Sequence, residues 1–571
     1  MKRIPYGISD FGELRRSNCY YVDKTRYIAM VEDDVHFVHF VRPRRFGKSL
    51  FLSMLEMYYD VEKKDKADEA FRGTWIADHP TPLKNSFLVL RMDFSHVPGD
   101  LEGLKERFDK YCVETLLCFA DKYKAYFSEE QLGRIHNLTN AVDMLTSIAS
   151  SARSNGLALY LILDEYDNFT NTVLSEHGQA VYRAITHASG FYRDFFKLFK
   201  GNFTRIFMTG VSPVTLNDLT SGFNISANIS MESSYNAMLG LSESDVRDMI
   251  DYYRGEGAIR ETADEILPVI RPWFDNYCFA LKCYGREEGV YNTDMVMNFV
   301  RRYVREGHVP DSLVDPNVCT DTAKLRMLVN LDRLGGNREG DIMSIIGQGY
   351  IDAPLHADFP ADSLAKPEIF PSLMFYYGML TIGGRRMSKT RLSIPNETVR
   401  RQYYSFLTNL FSDAMEQNRV ISLIDDMATT GDPRPFLDYA LPGYARTCGV
   451  HSSIERERGL QSFLSAYMSL ATYYNIRQEY ELGGGYCDII AYPSEPFQGQ
   501  VDHAFIFELK SLRATDSQAD ADRQWADAEA QLRQYAADPA IPNLMAGARL
   551  HLIRFQAKDG KVVRFEEVAK E

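Results

Sequence analysis

A short β-rich run, Val35–Phe40, leads through a basic loop into an apolar helical pattern from Ser49 to Tyr59, and the loop ends in Gly47-Lys48-Ser49. This tripeptide matches the end of the phosphate-loop pattern G-x-x-x-x-G-K-[ST]. In that pattern the glycine lets backbone amides surround phosphates at a helix N-terminus, the lysine reaches the β- and γ-phosphate oxygens, and the hydroxyl binds Mg²⁺. Arg42 stands where the pattern has its first glycine. The strand–loop–helix placement therefore predicts a site for ATP and Mg²⁺.

A continuously apolar run, Leu159–Leu163, is followed by Asp164 and Glu165, which is typical of a strand buried on both faces and ending in carboxylates. We expect Asp164 to hold Mg²⁺ and Glu165 to polarise the attacking water. The alternative is a strand that ends in a charged turn. Thr209, near the end of the apolar run Arg205–Val211, is a weaker candidate for a contact with the γ-phosphate, since Thr-Gly also forms ordinary turns.

The order of the elements predicts three domains. Strand candidates alternate with helical patterns in the first third, which favours an α/β domain with a mainly parallel sheet over residues 1–240. Residues 241–439 are predicted to be mostly helical, with a helix start at Ser242. Glycine and proline cluster near the next boundary. Residues 440–571 form a further α/β unit, with helices at Ile454–Met468 and Ala519–Ala536 and strands at Tyr486–Tyr492, Ala504–Ser511 and Arg549–Phe555.

Composition excludes several classes of protein. Among 571 residues, 45% are hydrophobic and 25% are charged, which is the balance of a globular protein. There is no uncharged apolar run long enough for a membrane span, and the first residues lack the apolar stretch of a signal peptide, so we expect a cytoplasmic protein without membrane contact. Eight scattered cysteines show no zinc spacing and are expected to be reduced.

The charge balance bears on nucleic-acid binding. A net charge of −14 gives no global attraction to phosphate backbones, so local patches must provide it. Arg42, Arg44 and Arg45 form a candidate patch. Their pairing with phosphates of bound ATP, or with nearby acids, is the favoured interpretation.

A second set of charged residues lies in the C-terminal strands. Asp488 lies inside the run Tyr486–Tyr492, while Glu508 and Lys510 share one face of an otherwise apolar strand because side chains alternate. Buried charges need partners. A divalent cation meets that need, with Asp488 and Glu508 as oxygen ligands and Lys510 positioning or activating water. The alternative is that the carboxylates are ordinary ion-pair partners.

The N-terminal motifs resemble the prokaryotic AAA-ATPase-like family. The resemblance covers roughly residues 1–240, and the arginine-bearing loop is the usual form in that family. It implies ATP and Mg²⁺ as cofactors, and no established substrate. The loop residues that it implies for nucleotide binding are Arg44, Arg45, Phe46, Gly47, Lys48, Ser49 and Leu50, together with Asp164 and Thr209. The segments that carry it include Tyr21-Val22-Asp23-Lys24-Thr25, Asp164-Glu165-Tyr166-Asp167, Thr209-Gly210-Val211-Ser212-Pro213 and Ser221-Gly222-Phe223-Asn224.

The C-terminal arrangement, an aspartate followed by Glu-x-Lys, resembles the PD-(D/E)xK nuclease superfamily over about residues 440–571. The resemblance implies a restriction-endonuclease-like α/β fold with Mg²⁺, or alternatively Mn²⁺, at the site. It adds an upstream helical acid, best matched by Glu457 with Glu455 as the alternative, and a downstream Gln531. Tyr535 belongs to an apolar stripe with helical spacing and is equally consistent with a core residue.

Together the motifs predict an ATP-binding and ATP-hydrolysing module, a helical middle region, and a metal-dependent nuclease that cleaves nucleic acid, with DNA preferred over RNA. Nucleotide bound at the N-terminal site would then bias the position of the C-terminal site. Two alternatives remain: a nucleotide-switched protein whose nuclease fold binds nucleic acid without cutting it, and a plain ATPase with a structural tail. The oligomeric state is open.

Overall fold

The computed structural model describes residues 1–99, 101–187, 190–219, 226–286, 289–314, 338–364, 366–410, 415–447, 453–513 and 515–569. The segment Ser221-Gly222-Phe223-Asn224 used for the family resemblance lies outside these residues, as do Cys319 and Cys448. The side chain of Glu455 also falls outside the described part. Cys19, Cys112, Cys118 and Cys487 are free thiols. Within those ranges, no helix is both long and apolar enough to span a bilayer.

The helices of the described residues are α1 (Phe11–Arg16), α2 (Arg26–Asp33), α3 (Lys48–Tyr59), α4 (Lys64–Ala70), α5 (Trp75–Asp78), α6 (Leu104–Lys122), α7 (Glu129–His136), α8 (Ala141–Ser154), α9 (Asn168–Thr186), α10 (Phe191–Lys197), α11 (Val214–Leu219), α12 (Glu243–Gly255), α13 (Ala263–Phe274), α14 (Thr293–Glu306), α15 (Arg338–Gln348), α16 (Phe370–Tyr376), α17 (Glu397–Leu410), α18 (Gln417–Thr430), α19 (Arg434–Thr447), α20 (Ser453–Met468), α21 (Gln518–Ala536) and α22 (Ile541–Met545). The strands are β1 (Phe37–Val41), β2 (Leu88–Asp93), β3 (Leu159–Asp164), β4 (Arg205–Gly210), β5 (Ala227–Asn228), β6 (Tyr350–Ala353), β7 (Thr381–Arg386), β8 (Lys389–Ser393), β9 (Tyr474–Leu482), β10 (Gly485–Pro493), β11 (His503–Ser511), β12 (Arg549–Lys558) and β13 (Lys561–Val568).

The N-terminal sheet is parallel, with the strand order β2-β3-β4-β1-β5. Strands β3 and β4 are buried along their whole length, in agreement with their apolar sequences. The register pairs Phe40 with Thr209 and Leu163 with Met208. The carboxyl ends of β1, β4 and β3 therefore meet at one edge of the sheet, where parallel α/β sheets bind ligands.

The middle region is mainly helical, and Ser242 starts α12 as predicted, with a capping box completed by Asp245. It also contains a three-stranded antiparallel sheet, β6-β8-β7, which the sequence analysis did not predict. Strands β7 and β8 are short, and β7 is interrupted by two glycines and a register shift, so they lack a clear period-2 apolar pattern. The domain boundary predicted at residue 440 falls inside α19.

The C-terminal sheet is mixed, with the order β13-β12-β11-β10-β9. Strands β10 and β11 are antiparallel, and β11 and β12 are parallel. The register pairs Ile489 with Phe507, so Asp488 and Glu508 occupy the next position along the two strands. Their side chains therefore emerge on the same face. Helix α20 packs against β9 and β11, and α21 packs against β11 and β12.

Candidate nucleotide and metal sites

The loop after β1 has the backbone of an anion-binding site. Gly47 has a φ of +95°, a conformation that L-residues rarely adopt, and precedes α3 without any side-chain cap. The N–H groups of the first helical turn are thus available to a ligand. Lys48 is buried, and its Nζ donates to the carbonyl oxygens of Arg42 at 3.1 Å and Pro43 at 3.3 Å. The loop and its lysine can therefore surround phosphate groups.

The predicted magnesium residues converge on Asp164, at the end of β3. Its Oδ2 accepts a hydrogen bond from the Ser49 hydroxyl at 2.6 Å, and its Oδ1 accepts one from Thr209 at 2.7 Å. Glu165 lies 3.4 Å from the Lys48 ammonium and has a left-handed φ of +48°. Burial raises the pKa of Asp164, and the two hydroxyls oppose that shift. The structure thus brings together residues that are distant in the sequence and positions Thr209 against the carboxylate.

Arg42 does not form the nucleic-acid patch that the sequence suggested, nor does it face a phosphate site. Its side chain is only 1% exposed. Its guanidinium donates to the carbonyl oxygens of Ser230 at 2.6 Å and Tyr235 at 3.0 Å, and it lies 4.1 Å from the ring centres of both Phe40 and Phe279. The interpretation of Arg42 as a ligand-facing cation was wrong, because backbone carbonyls and aromatic rings enclose this charge.

The other loop residues have different environments. Arg44 is exposed, whereas Arg45 pairs with Asp294 on α14 at 2.5 Å. Phe46 is buried and packs edge-on against Tyr277, with ring centres 5.0 Å apart. The phosphate loop is therefore tied to the middle region on two sides.

An apolar cleft lies beside Gly47, and the sequence did not predict it. Its walls come from the N-terminal segment, from α3, and from the start of the middle region. Leu50, one of the residues expected at the nucleotide, lines it. The cleft combines an apolar lining with the adjacent helix N-terminus, which suits a planar base attached to phosphates. The lining includes Tyr20, Tyr21, Val22, Met238, Leu239, Leu241 and Met297.

The second site centres on Asp488 and Glu508. Asp488 accepts hydrogen bonds from the Gln461 side chain at 2.7 Å and from the Leu509 backbone N–H at 2.6 Å. Glu508 is 1% exposed, and its Oε1 pairs with Lys510 at 2.7 Å while its Oε2 has no hydrogen-bond partner. Burial, and the charge of Glu508, raise the pKa of Asp488. A buried carboxylate oxygen without a donor is an acceptor that suits a cation.

Lys510 and Glu457 complete the predicted set. Burial lowers the pKa of Lys510, but the charges of Asp488 and Glu508 outweigh burial and raise it above its usual value. Lys510 is therefore a cation held against two carboxylates. Glu457 accepts a hydrogen bond from the Ser511 backbone N–H at 3.2 Å and lines the cleft beside Lys510.

Two polar residues of this cleft were missed. Gln461, one turn after Glu457 on α20, donates to Asp488, and its Oε1 has no partner although the side chain is only 2% exposed. Glu479 lines the cleft from β9 with a φ of +46°. Burial raises the pKa of Glu479, and Glu457 adds to that shift while Arg458 opposes it. The i, i+4 spacing of Glu457 and Gln461 was the available signal.

Gln531 lies two turns beyond Gln524 on α21, and the cleft is lined by Gln524 instead. The Tyr535 hydroxyl donates to the backbone carbonyl of Tyr486 at 2.9 Å, and its buried ring joins the apolar core, in line with a structural role. Among the described residues, no group of three or more His, Cys, Asp or Glu side chains is arranged to hold a metal ion. Of the described residues at this cleft, those that could hold a cation are Asp488 and Glu508, with the unpaired amide oxygen of Gln461.

Comparisons with known proteins agree with this arrangement. Residues 5–220 match the model of the family described as "Predicted AAA-ATPase", and residues 455–566 match that of the PD-(D/E)XK nuclease superfamily. The two matches fall on the two regions whose motifs predicted these resemblances.

A similar curated protein is the "Uncharacterized protein in vnfD 5'region" of Azotobacter chroococcum mcd 1, which is 27% identical over 334 residues. The match covers 55% of this chain and 56% of that protein. The chain thus spans about half the length of the curated relative that it matches, whose name states no activity.

Proposed function

We propose that this protein binds and hydrolyses ATP with Mg²⁺, and that its C-terminal domain is a metal-dependent nuclease that cleaves DNA phosphodiesters. The first half is supported by the convergence of Lys48, Ser49 and Asp164 at one sheet edge, beside a helix N-terminus and an apolar cleft. Lys48 would bind the β- and γ-phosphates, and Glu165 would orient the attacking water.

The observation that carries the nuclease proposal is the donor-free Oε2 of buried Glu508 beside Asp488. These two carboxylates would hold Mg²⁺ or Mn²⁺, which supplies a polarised phosphate and a water of lowered pKa. Lys510, already charged and held at Glu508, would stabilise charge that develops on the phosphate. Gln461 would orient Asp488 through its side-chain amide.

Control of one site by the other has a contact route. Phe46 of the phosphate loop packs against Tyr277, and the carbonyl oxygen of Asp275, two residues earlier, accepts a hydrogen bond from Asn396 at 3.0 Å. The next residue, Glu397, forms a buried ion pair with Arg477 on β9. Glu479, two residues further along β9, lines the carboxylate cleft. A change at the phosphate loop could therefore shift β9.

The competing function is a nucleotide-switched DNA-binding protein that does not cut. It is favoured by the lack of a third acidic or histidine ligand arranged for a metal among the described residues. Both functions predict DNA binding, but only the first predicts a metal-dependent product.

The test incubates the full chain with supercoiled plasmid, linear duplex DNA and single-stranded RNA, with Mg²⁺ or Mn²⁺ and with or without ATP. We expect nicking or cleavage of DNA that requires the metal and changes with ATP. Asp488→Asn should abolish DNA cleavage while ATP hydrolysis continues. Glu165→Gln should impair ATP hydrolysis while DNA cleavage continues. DNA that stays intact with every metal, although the wild-type protein binds it, would favour the non-cutting function.

A further inference from the structure

The hairpin formed by β7 and β8 carries an unusual concentration of positive charge in an acidic chain. Between residues 381 and 393 the charged side chains are all basic, namely Arg385, Arg386, Lys389 and Arg391. Arg386 pairs across the strands with Lys389, so their side chains emerge together beside the turn. The turn places Met387 at the tip with a φ of +54° and 91% of its side chain exposed.

Acidic residues neutralise this charge only in part. Asp352 on β6 accepts from Arg391 at 2.9 Å and from Arg386 at 3.2 Å. Arg385 donates its Nε to the carbonyl oxygen of Met387. Lys389 makes no ion pair within the described residues. One carboxylate thus faces four basic side chains, and cations held at a hairpin tip favour an anionic partner.

The hairpin borders an open groove. Lys282 and Tyr284 line the groove with Arg385, and Tyr284 is 49% exposed. Gly384 on β7 lies beside the Tyr284 ring, which would be in ordinary van der Waals contact, at 3.5 Å, with a Cβ there. Glu232 is the acidic residue of the lining, which continues through Met231, Ser233, Ser234, Leu281 and Arg286. Glu287 and Glu288 follow Arg286 in the sequence but lie outside the described residues.

We propose that the β7–β8 hairpin and this groove form a second DNA-binding surface, separate from the carboxylate cleft, that holds the phosphate backbone of a duplex. The choice of DNA as the partner rests on the proposed function. Arg385, Arg386 and Lys389 bind phosphates, while Met387 and Tyr284 supply apolar contact with sugars or base edges. A two-stranded β-ribbon fits the major groove of B-DNA, and exposed basic residues dominate affinity through release of counterions.

The test measures binding of a fluorescent 30-base-pair duplex to the full chain by anisotropy, in EDTA so that no cleavage occurs, over a series of KCl concentrations. The triple variant R385Q/R386Q/K389Q should bind at least about tenfold more weakly at low salt. The slope of log Kd against log salt should fall by up to about 2.7, which is roughly 0.9 per lost phosphate contact.

A matched triple variant, K64Q/K105Q/K124Q, removes the same charge from exposed lysines of the N-terminal region. It should change affinity and slope much less. The pair Y284A/M387A should weaken binding without changing the salt slope, since neither residue contributes charge. Melting temperature and ATP binding check that each variant folds.

Equal losses in the two triple variants would overturn the proposal, because global charge would then explain the effect. So would an unchanged Kd in R385Q/R386Q/K389Q, or a wild-type chain that binds no duplex. If binding depends on the hairpin while no metal supports cleavage, the nuclease proposal fails and the surface stands. If the wild type cleaves and the hairpin triple variant binds and cleaves equally well, the surface fails alone.

Discussion

The buried carboxylates of the two candidate sites differ in their hydrogen-bond and ion-pair partners. In the N-terminal site, both oxygens of Asp164 accept from the neutral hydroxyls of Ser49 and Thr209. In the C-terminal site, Glu508 pairs with the cationic Lys510 and leaves one oxygen without any donor. Hydroxyls can turn toward a nucleotide-bound Mg²⁺, whereas a donor-free oxygen beside a second carboxylate favours a cation directly. We infer that the first site takes metal with its nucleotide and the second takes metal alone.

The largest expected effect concerns the contact between the two regions. Glu397→Gln leaves Arg477, whose side chain is 19% exposed, without its counter-charge, and breaking a buried pair costs up to about 3–5 kcal/mol in the free energy of unfolding. Chemical denaturation of the full chain measures this loss.

The double variant E397L/R477L removes both charges of this pair but leaves Arg400, which also pairs with Glu397 at 3.4 Å, so it should recover part of that stability. If the ion pair links the sites, the double variant should still bind ATP and cleave DNA, but ATP should no longer change the cleavage rate. Retained ATP dependence in a stable double variant would show that the sites communicate by another route or act independently.

The second prediction separates cation binding from turnover at the C-terminal site. Lys510→Ala should lower the cleavage rate by about 10²–10³, because it removes a charge that stabilises the transition state. Metal binding should persist, since a lysine is a donor and not a ligand. Single-turnover cleavage and Mn²⁺ calorimetry on the same preparation measure the two properties.

Gln531→Ala is a matched polar control on α21, outside the lining of the cleft. It should cleave like the wild type. A Lys510→Ala protein that cleaves normally would mean that Lys510 only neutralises Glu508.

The third prediction concerns the N-terminal site and has the smallest expected energy. Lys48→Ala removes a charge-assisted contact with phosphate, worth about 1.5–3 kcal/mol, and should weaken ATP·Mg binding by about 10- to 100-fold. Glu165→Gln should bind ATP like the wild type and hydrolyse it slowly. Calorimetry measures ATP binding, and phosphate release measures hydrolysis. If Lys48→Ala binds ATP with wild-type affinity, the assignment of this loop as a phosphate loop is wrong.

The sequence predicted the candidate sites best where their residues lie in short contiguous motifs. Gly47-Lys48-Ser49, the end of β3, and the Glu-x-Lys of β11 are short segments whose spacing and apolar surroundings reveal their place in the fold. Strand β9 alternates irregularly, and β13 is an edge strand with a largely exposed, charged face, so neither shows the apolar signal that identified their neighbours.

Other features depend on contacts between distant segments. Arg42 looked like a surface cation, and only the carbonyl oxygens of Ser230 and Tyr235 and the ring of Phe279 show that its charge is enclosed. The sequence pattern around Gln461 is that of any helical glutamine, and its contact with Asp488 appears only because β10 lies beside the helix. These roles follow from tertiary pairing, which one sequence does not display. Gln531 was expected at the site because of the family resemblance, and a resemblance of motifs does not fix which turn of α21 reaches the cleft.

The most direct test of the contrast between the sites is a calorimetric titration of Mn²⁺ into the full chain without nucleotide, for the wild type, Ser49→Ala and Glu508→Gln. We predict one metal-binding event in the wild type, unchanged in Ser49→Ala and lost in Glu508→Gln, because only the C-terminal carboxylates bind a cation by themselves. Binding that survives in Glu508→Gln, or that disappears in Ser49→Ala, would contradict the assignment of the metal site to Asp488 and Glu508.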